Sequence, residues 1–589
     1  MNKLKYILPV ACLTLQLAAQ TPSKDSVLNR NVTVEREYKP VIQDAGKINS
    51  QPKALEPKTG KITPDYSNFN LPLNVDFNLH TLPAAELKRE KRPDWTGGFA
   101  RLGLGNYWNT QADFAYPLIK TETSRLDVSL NHFGTQGSKA HSTTKGALSF
   151  DQFFETFNLY AGLGGGHEYL KYYGNRFNKA NSVVNLDTLA KYNPGASYLE
   201  QNLTNTSRTA KSYTLNQLAN DSSSNTFWRF NAYAGIRSLP LDTNMRYQAE
   251  VQYKAFEAVN GLTEYQVHSK GGFNAKHDMN RLGLDLDLYN LWYRASNPTM
   301  SNSYTDSYAV FGMNPYYSIE GRDFNVRLGI KSSFSFVHGR PFSPSADIHA
   351  EWRAVPKVFA LYGGISGGYN VNTMDEMFSE NRYLYDDIRV KDTYTPFEGY
   401  AGFKVKPVYN MLLDAFIDYK VIDNQYFFVN KAYKNDNITT NDSLLYTNRF
   451  NVVYSNASLF RAGARINYNM RNFLNVQLKT LYNGWDVSTE AVAWNKPRWE
   501  TDLTTDIRFS RSFSISASAY FDSERYAKIG DKAIRMKPRA DINLGASYAY
   551  NNWLTAFGKI NNLINSRYQD YYGYDVQGFN VLVGAAFSF

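Results

Sequence analysis

The sequence predicts an all-β protein: a transmembrane antiparallel β-barrel of about 22 strands, preceded by a signal peptide and an extended N-terminal segment. Three observations predict it. The chain ends in an alternating strand that stops on an aromatic residue. Of its 589 residues 15% are aromatic, including 44 Tyr and 36 Phe, in a chain that is polar on average. From Trp95 onward, strand signals recur about every 20 to 25 residues, the spacing of a membrane strand plus its connection.

In the last strand Phe579, Val581, Val583, Ala585, Phe587 and Phe589 share one face, while Asn580, Gly584 and Ser588 share the other, with Leu582 and Ala586 as apolar exceptions. This is period-two alternation. An exposed aromatic edge strand in a soluble domain would recruit other chains. A closed membrane barrel removes the edge and places the aromatics against lipid. The six odd-numbered residues are therefore expected to form the barrel-closing strand.

Before that strand runs Ile560-Asn561-Asn562-Leu563-Ile564-Asn565-Ser566-Arg567-Tyr568, followed by Tyr571-Tyr572-Gly573-Tyr574 and Gly578. This resembles the C-terminal end of TonB-dependent outer-membrane receptors. There a penultimate strand ends in an Asn-Leu-hydrophobic-Asn turn with a nearby Tyr, then a Gly, then a last strand ending in Phe. The resemblance implies an outer-membrane barrel in contact with the lipid bilayer, transport of a solute, and a TonB-like periplasmic partner.

The N-terminus carries Lys3 and Lys5, an apolar run from Tyr6 to Leu17, and the small residues Ala18 and Ala19 before Gln20. Residues 1–20 read as a secretory signal peptide. Cys12, the single cysteine, lies inside it, so the mature chain is expected to have no thiol chemistry. The net charge of +10 falls to +8 without Lys3 and Lys5. No basic, aromatic-interleaved patch accompanies it, so no nucleic-acid partner is expected.

Residues 21–94 are rich in proline and lack sustained periodicity, which reads as an extended or disordered periplasmic segment. Within it, Val32, Thr33, Val34 and Glu35 open a short strand-forming run to Tyr38. Two readings fit: an ordinary extended linker, or a TonB-box-like run that binds its partner by strand addition, as the resemblance implies. Between Tyr38 and the first strand near Gly97 no alternating run could build a folded plug. The resemblance therefore covers the barrel, residues 95–589, and not the plug. The segment after about Tyr38 is expected to enter or line the periplasmic mouth and narrow the bore, while Val32 to Tyr38 stays accessible.

Clear strand faces are Met245, Tyr247, Ala249, Val251 and Tyr253 against Arg246, Gln248, Glu250, Gln252 and Lys254. The same holds for Leu282, Leu284, Leu286 and Leu288 against Gly283, Asp285, Asp287 and Tyr289, and for Phe324, Val326, Leu328 and Ile330 against Asn325, Arg327, Gly329 and Lys331. Apolar faces are expected toward lipid and polar faces toward a wet lumen. Strand starts fall near positions 97, 110, 124, 142, 155, 225, 244, 262, 280, 303, 321, 343, 357, 395, 409, 447, 472, 497, 512, 537, 553 and 577. Short links, such as those at Glu155, Pro356 and Arg471, alternate with long ones near 171–224, 372–394, 431–446, 524–536 and 564–576. The long ones are expected outside the cell.

No catalytic motif appears: there is no His-Glu-x-x-His, no Gly-x-Ser-x-Gly and no phosphate-binding loop. Gly162, Gly164, Gly165 and Gly166 lie inside a strand signal, where close approach or relaxed packing explains them better than phosphate. Asp285 and Asp287 on one lumen face are expected to be salt-bridged or hydrated, and His277 beside Asp278 to be solvated in a turn. The basic run Lys88 to Arg92 reads as a solvated stretch or a contact with anionic headgroups. The sequence thus points to a non-enzyme without cofactor or metal. Its function is solute transport across the outer membrane or, alternatively, that of a non-transporting barrel subunit within a larger complex of envelope proteins.

Overall fold

Alternation with period two makes each strand apolar on one face and polar on the other. Such strands satisfy their backbone groups in lipid only if the sheet closes on itself. The computed structural model describes residues 97–589, apart from 175–176, 179–181, 184–223, 240–243, 260, 296–306, 338, 386–387, 434–444, 472 and 530–531. The signal peptide, the 21–94 segment with Val32 to Glu35, and its expected entry into the bore lie outside the described residues.

Twenty-two antiparallel strands close the barrel. They are β1 Phe99–Gly105, β2 Thr110–Lys120, β3 Ser124–Thr135, β4 His141–Phe153, β5 Phe157–Lys171, β6 Ser224–Ser238, β7 Met245–Ala258, β8 Leu262–His277, β9 Asn280–Ala295, β10 Tyr308–Glu320 and β11 Phe324–Phe336. The second half comprises β12 Phe342–Val355, β13 Phe359–Asn370, β14 Thr393–Val405, β15 Met411–Tyr433, β16 Leu445–Met470, β17 Leu474–Val487, β18 Trp499–Arg508, β19 Phe513–Asp522, β20 Arg539–Ala549, β21 Leu554–Asn561 and β22 Asn580–Ser588. Each strand pairs with its chain neighbour, and β22 returns to β1 in the register Phe99↔Ser588 through Gly105↔Leu582. The count agrees with the sequence expectation, and the strand expected near 303 is described from Tyr308.

The wall has the expected two faces. Leu102, Leu163, Val251, Leu282, Ile330 and Val583 are all more than half exposed on the outside. The inner faces carry ions and amides, many of them paired. Asp285 meets Arg327 at 3.3 Å and Asp287 meets His268 at 3.0 Å, so both carboxylates have a side-chain partner. Connections alternate between two ends. One end has only short turns, ringed by exposed aromatics such as Phe154, Phe324, Tyr409, Phe509 and Trp553, the girdle of a membrane interface. Its tightest turn places Asp278 in the left-handed region, which Asp tolerates, and leaves His277 solvated. The other end bears the long loops. Two of them form hairpins, Arg525–Ile529 with Lys532–Met536, and Gln569–Tyr571 with Tyr574–Asp575. No helix among the described residues is long and apolar enough to cross a membrane, which says nothing about crossing by strands.

Candidate functional site

The long loop between β13 and β14, residues 371–392 apart from 386 and 387, reaches across the long-loop mouth from one wall to the other. It contains the helix α1, Met374–Glu380. Thr373 caps it by accepting from the Glu376 amide at 3.2 Å, and Asp375 and Glu376 lie in its first turn, where carboxylates suit the helix dipole. Met374, Met377 and Phe378, at helical spacing, form its buried face. A seven-residue helix is marginal alone, so tertiary packing holds it. Phe378 packs on Phe227 of β6 and Phe256 of β7, with ring centroids 5.2 and 5.3 Å apart.

Polar contacts fasten the segment to both sides of the mouth. On one wall, Glu264 of β8 accepts from the Met374 amide at 2.7 Å. Arg229 of β6 bridges Asp375 at 2.6 Å and Glu168 of β5 at 2.7 Å. Glu168 also faces Arg382 at 3.5 Å and His141 at 3.1 Å, and Arg382 donates to His141. On the other wall, Glu380 accepts from Tyr426 of β15 at 2.6 Å and from Lys496 at 2.9 Å. The Tyr571 hydroxyl donates to the Glu380 carbonyl at 3.0 Å. The segment also adds to the end of β16, with Tyr385 N–H to Phe450 O at 2.8 Å and Phe450 N–H to Tyr383 O at 3.0 Å.

A Tyr cluster fills the space beside it. Tyr383 stacks on Tyr574 at 3.6 Å, and Tyr173 meets both rings. Tyr173 donates to the Asp575 carbonyl, and Lys139, from the loop between β3 and β4, donates to the Val576 carbonyl at 2.7 Å. The neck of the segment is pinned by Asp392, which accepts from Tyr308, Tyr369 and the Asn372 amide at 2.8, 2.8 and 3.2 Å. The two ends of the excursion are thus held together at its neck. Burial raises the Asp392 carboxyl to about 6, with the two Tyr donors opposing the rise. Burial likewise raises Glu376, and it lowers Lys496 although Glu380 opposes this.

Below the cap, inward-facing Lys145 and Ala147 of β4 and Lys270 of β8 are exposed, so the wall at that level faces open space among the described residues. Phe579, Val581, Val583, Ala585, Phe587 and Phe589 lie in and beside β22, far along the chain from the cap residues; Val583 and Phe589 are exposed on the outer wall. No group of three or more His, Cys, Asp or Glu suited to a metal occurs among the described residues. Sequence reasoning did not single out Glu168, Arg229 and Glu264 on the strands, or Asp392 in the long loop expected near 372–394. Thr373 before two acids, with Met374, Met377 and Phe378 at helical spacing, was the available signal for α1.

No protein-family model matches the chain. No curated protein matches it either. Solved structures do. The siderophore receptor PirA from Acinetobacter baumannii aligns with a TM-score of 0.60 at 10% identity, over 85% of this chain and 81% of that one. The fold is that of the TonB-dependent siderophore-receptor barrels. The ferripyoverdine receptor of the Pseudomonas aeruginosa outer membrane aligns with a TM-score of 0.56 at 11% identity, over 85% of this chain and 73% of that one. A ferric enterobactin receptor (PfeA) mutant from the same organism gives 0.56 at 12%, over 84% and 81%. The resemblance stated on Asn561 to Phe589 therefore holds at the level of the barrel fold.

Proposed function

We propose that this chain is an outer-membrane barrel that passes a solute through a gated bore, with residues 371–392 as the gate at the external mouth. The observation that supports this reading is that a loop segment, and not the continuous wall, crosses the mouth, held by polar contacts to both walls and by its Met and Phe face, above exposed lumen side chains. Polar contacts reform with water when they break, so they suit a closure that must be undone. The short turns mark the periplasmic end and the long loops the outside, as in bacterial barrels. The fold neighbours, named as siderophore receptors, support a receptor role, and the N-terminal run at Val32 to Glu35 would be the place for a periplasmic TonB-like partner to add a strand.

The closed mouth also favours a second reading: a non-transporting barrel that serves as a subunit of a larger envelope complex, its external surface built by the packed Tyr loops. Deletion of residues 374–390 separates the two. Asn372 and Asp392 already touch, so the barrel can close over the gap. Under the gate reading, cells carrying the deletion become sensitive to bulky antibiotics that the intact outer membrane excludes. Unchanged resistance with normal barrel levels contradicts it and supports the subunit reading.

A further inference from the structure

The outer wall carries a groove that the closure of the bore does not explain. It has a volume of about 440 Å³ and opens outward across β4 to β8. Its floor includes Gly146 and Gly165, which face each other in register on β4 and β5. Trp228, Phe230, Ala255 and Tyr265 form its sides.

Glycine inside a strand is destabilising relative to alanine, so two paired outward glycines call for a reason. Neither has a left-handed backbone. A Cβ on Gly146 would meet nothing nearer than Leu130 Cδ1 at 3.7 Å, and one on Gly165 nothing nearer than the Arg229 carbonyl at 3.9 Å. No turn and no close protein neighbour therefore requires them; they keep the floor low between aromatic walls.

The groove lies where the outward side chains change character. Toward the short-turn end its neighbours are Leu163 and Val251, both exposed and apolar. Toward the long-loop end its rim is Thr144, His167, Glu257 and Thr263, and the His167 ring packs on Trp228 at 4.4 Å. Trp at such a boundary marks a membrane interface. A slot continuous with the lipid-facing wall, apolar below and polar above, suits an amphiphile standing along the barrel.

We infer that this groove holds one acyl chain of a membrane phospholipid, its headgroup resting on the polar rim. This rests on the reading of the barrel as membrane-embedded. A chain lying in the slot packs along its length against the fixed rings of Trp228, Phe230 and Tyr265, and such dispersion contacts, small singly, add up, so it stays longer than the lipid around it.

Native mass spectrometry of the full mature chain, released from micelles containing dioleoylphosphatidylethanolamine, whose ammonium suits the Glu257 carboxylate on the rim, tests it. Wild type is expected to retain one lipid. The double variant Gly146→Leu/Gly165→Leu fills the slot from positions that have room, and should lower the retained fraction about tenfold by removing the chain's packing contacts. Trp228→Ala should lower it as well, without adding bulk. Equal retention by all three proteins overturns the proposal, as does a retained polypeptide in place of lipid. The heat-modifiable shift of each protein on gels is read in parallel. Its absence from wild type would overturn the membrane-barrel reading itself, whereas lipid loss in a variant that keeps the shift is specific to the groove.

Discussion

The carboxylate of Glu264 lies 2.7 Å from the backbone amide of Met374, so a side chain of the barrel wall caps the helix that closes the mouth. The contact gives the Met374 amide a partner, as Thr373 does for the Glu376 amide, so the first turn is not buried with both amides unmet. It also ties β8 to a loop that leaves the wall five strands later.

Removal of that cap should loosen the closure without unfolding the barrel. Glu264→Ala leaves the first amides of α1 unsatisfied, at a cost of about 1–3 kcal/mol. Hydrogen exchange at Met374 to Asn381 should rise roughly 10- to 100-fold, while exchange in β1 to β4 stays unchanged.

Arg229 and Asp375 should be energetically coupled. Their 2.6 Å contact is only partly exposed, so it is screened less than a surface pair. A double-mutant cycle of Arg229→Ala and Asp375→Ala, read by the same exchange, should give a coupling of about 1–3 kcal/mol. A value near zero would show that the helix is held by its Met and Phe face alone.

Closure of the mouth should weaken as pH rises from about 4 to 6. Asp392 ordinarily titrates near 3.8 and is raised to about 6 by burial, so the closed state holds a proton that the opened state releases. The stabilising contribution is present in full below the ordinary value and is lost as pH climbs through the raised one. Glu376, also raised by burial, has the same sign. Protease cleavage within 371–392, compared at pH 5 and pH 7.5, should be faster at the higher pH. Asp392→Asn should flatten the dependence.

The seam between β1 and β22 should tolerate no side chain at Gly584. A Cβ there would meet the Leu102 carbonyl oxygen at 2.1 Å, a clash with backbone that no rotamer relieves. Gly584→Val should reduce the heat-modifiable fraction severalfold, and deletion of Phe579 to Phe589 should abolish it, because β1 would lose its partner in lipid.

Most of the barrel was legible in the sequence because each strand had to show lipid on one side and water on the other. The alternation of Leu282 to Leu288 with Asp285 and Asp287 states this directly. The cap was not legible, because a residue such as Glu264 looks in sequence like any other lumen-facing acid. Only the inward path of 371–392 turns it into a helix cap. The same holds for Glu168 and Arg229, which sit at the ends of strands near loops whose course periodicity does not encode. The glycine run from Gly162 to Gly166 reads as close approach or relaxed packing, and Gly162 is the former: the Tyr233 ring lies where its Cβ would be. Gly165, in the same run, faces an open groove, and the sequence does not tell the two apart.

Single-channel conductance in planar bilayers tests the central claim, that residues 371–392 gate the bore. The mature chain is compared with one carrying Glu264→Ala, Arg229→Ala and Lys496→Ala together, which releases the segment from both walls. The account predicts negligible conductance for the mature chain and large, fluctuating openings for the variant. Large conductance from both proteins, or none from either while both remain heat-modifiable barrels, would contradict it.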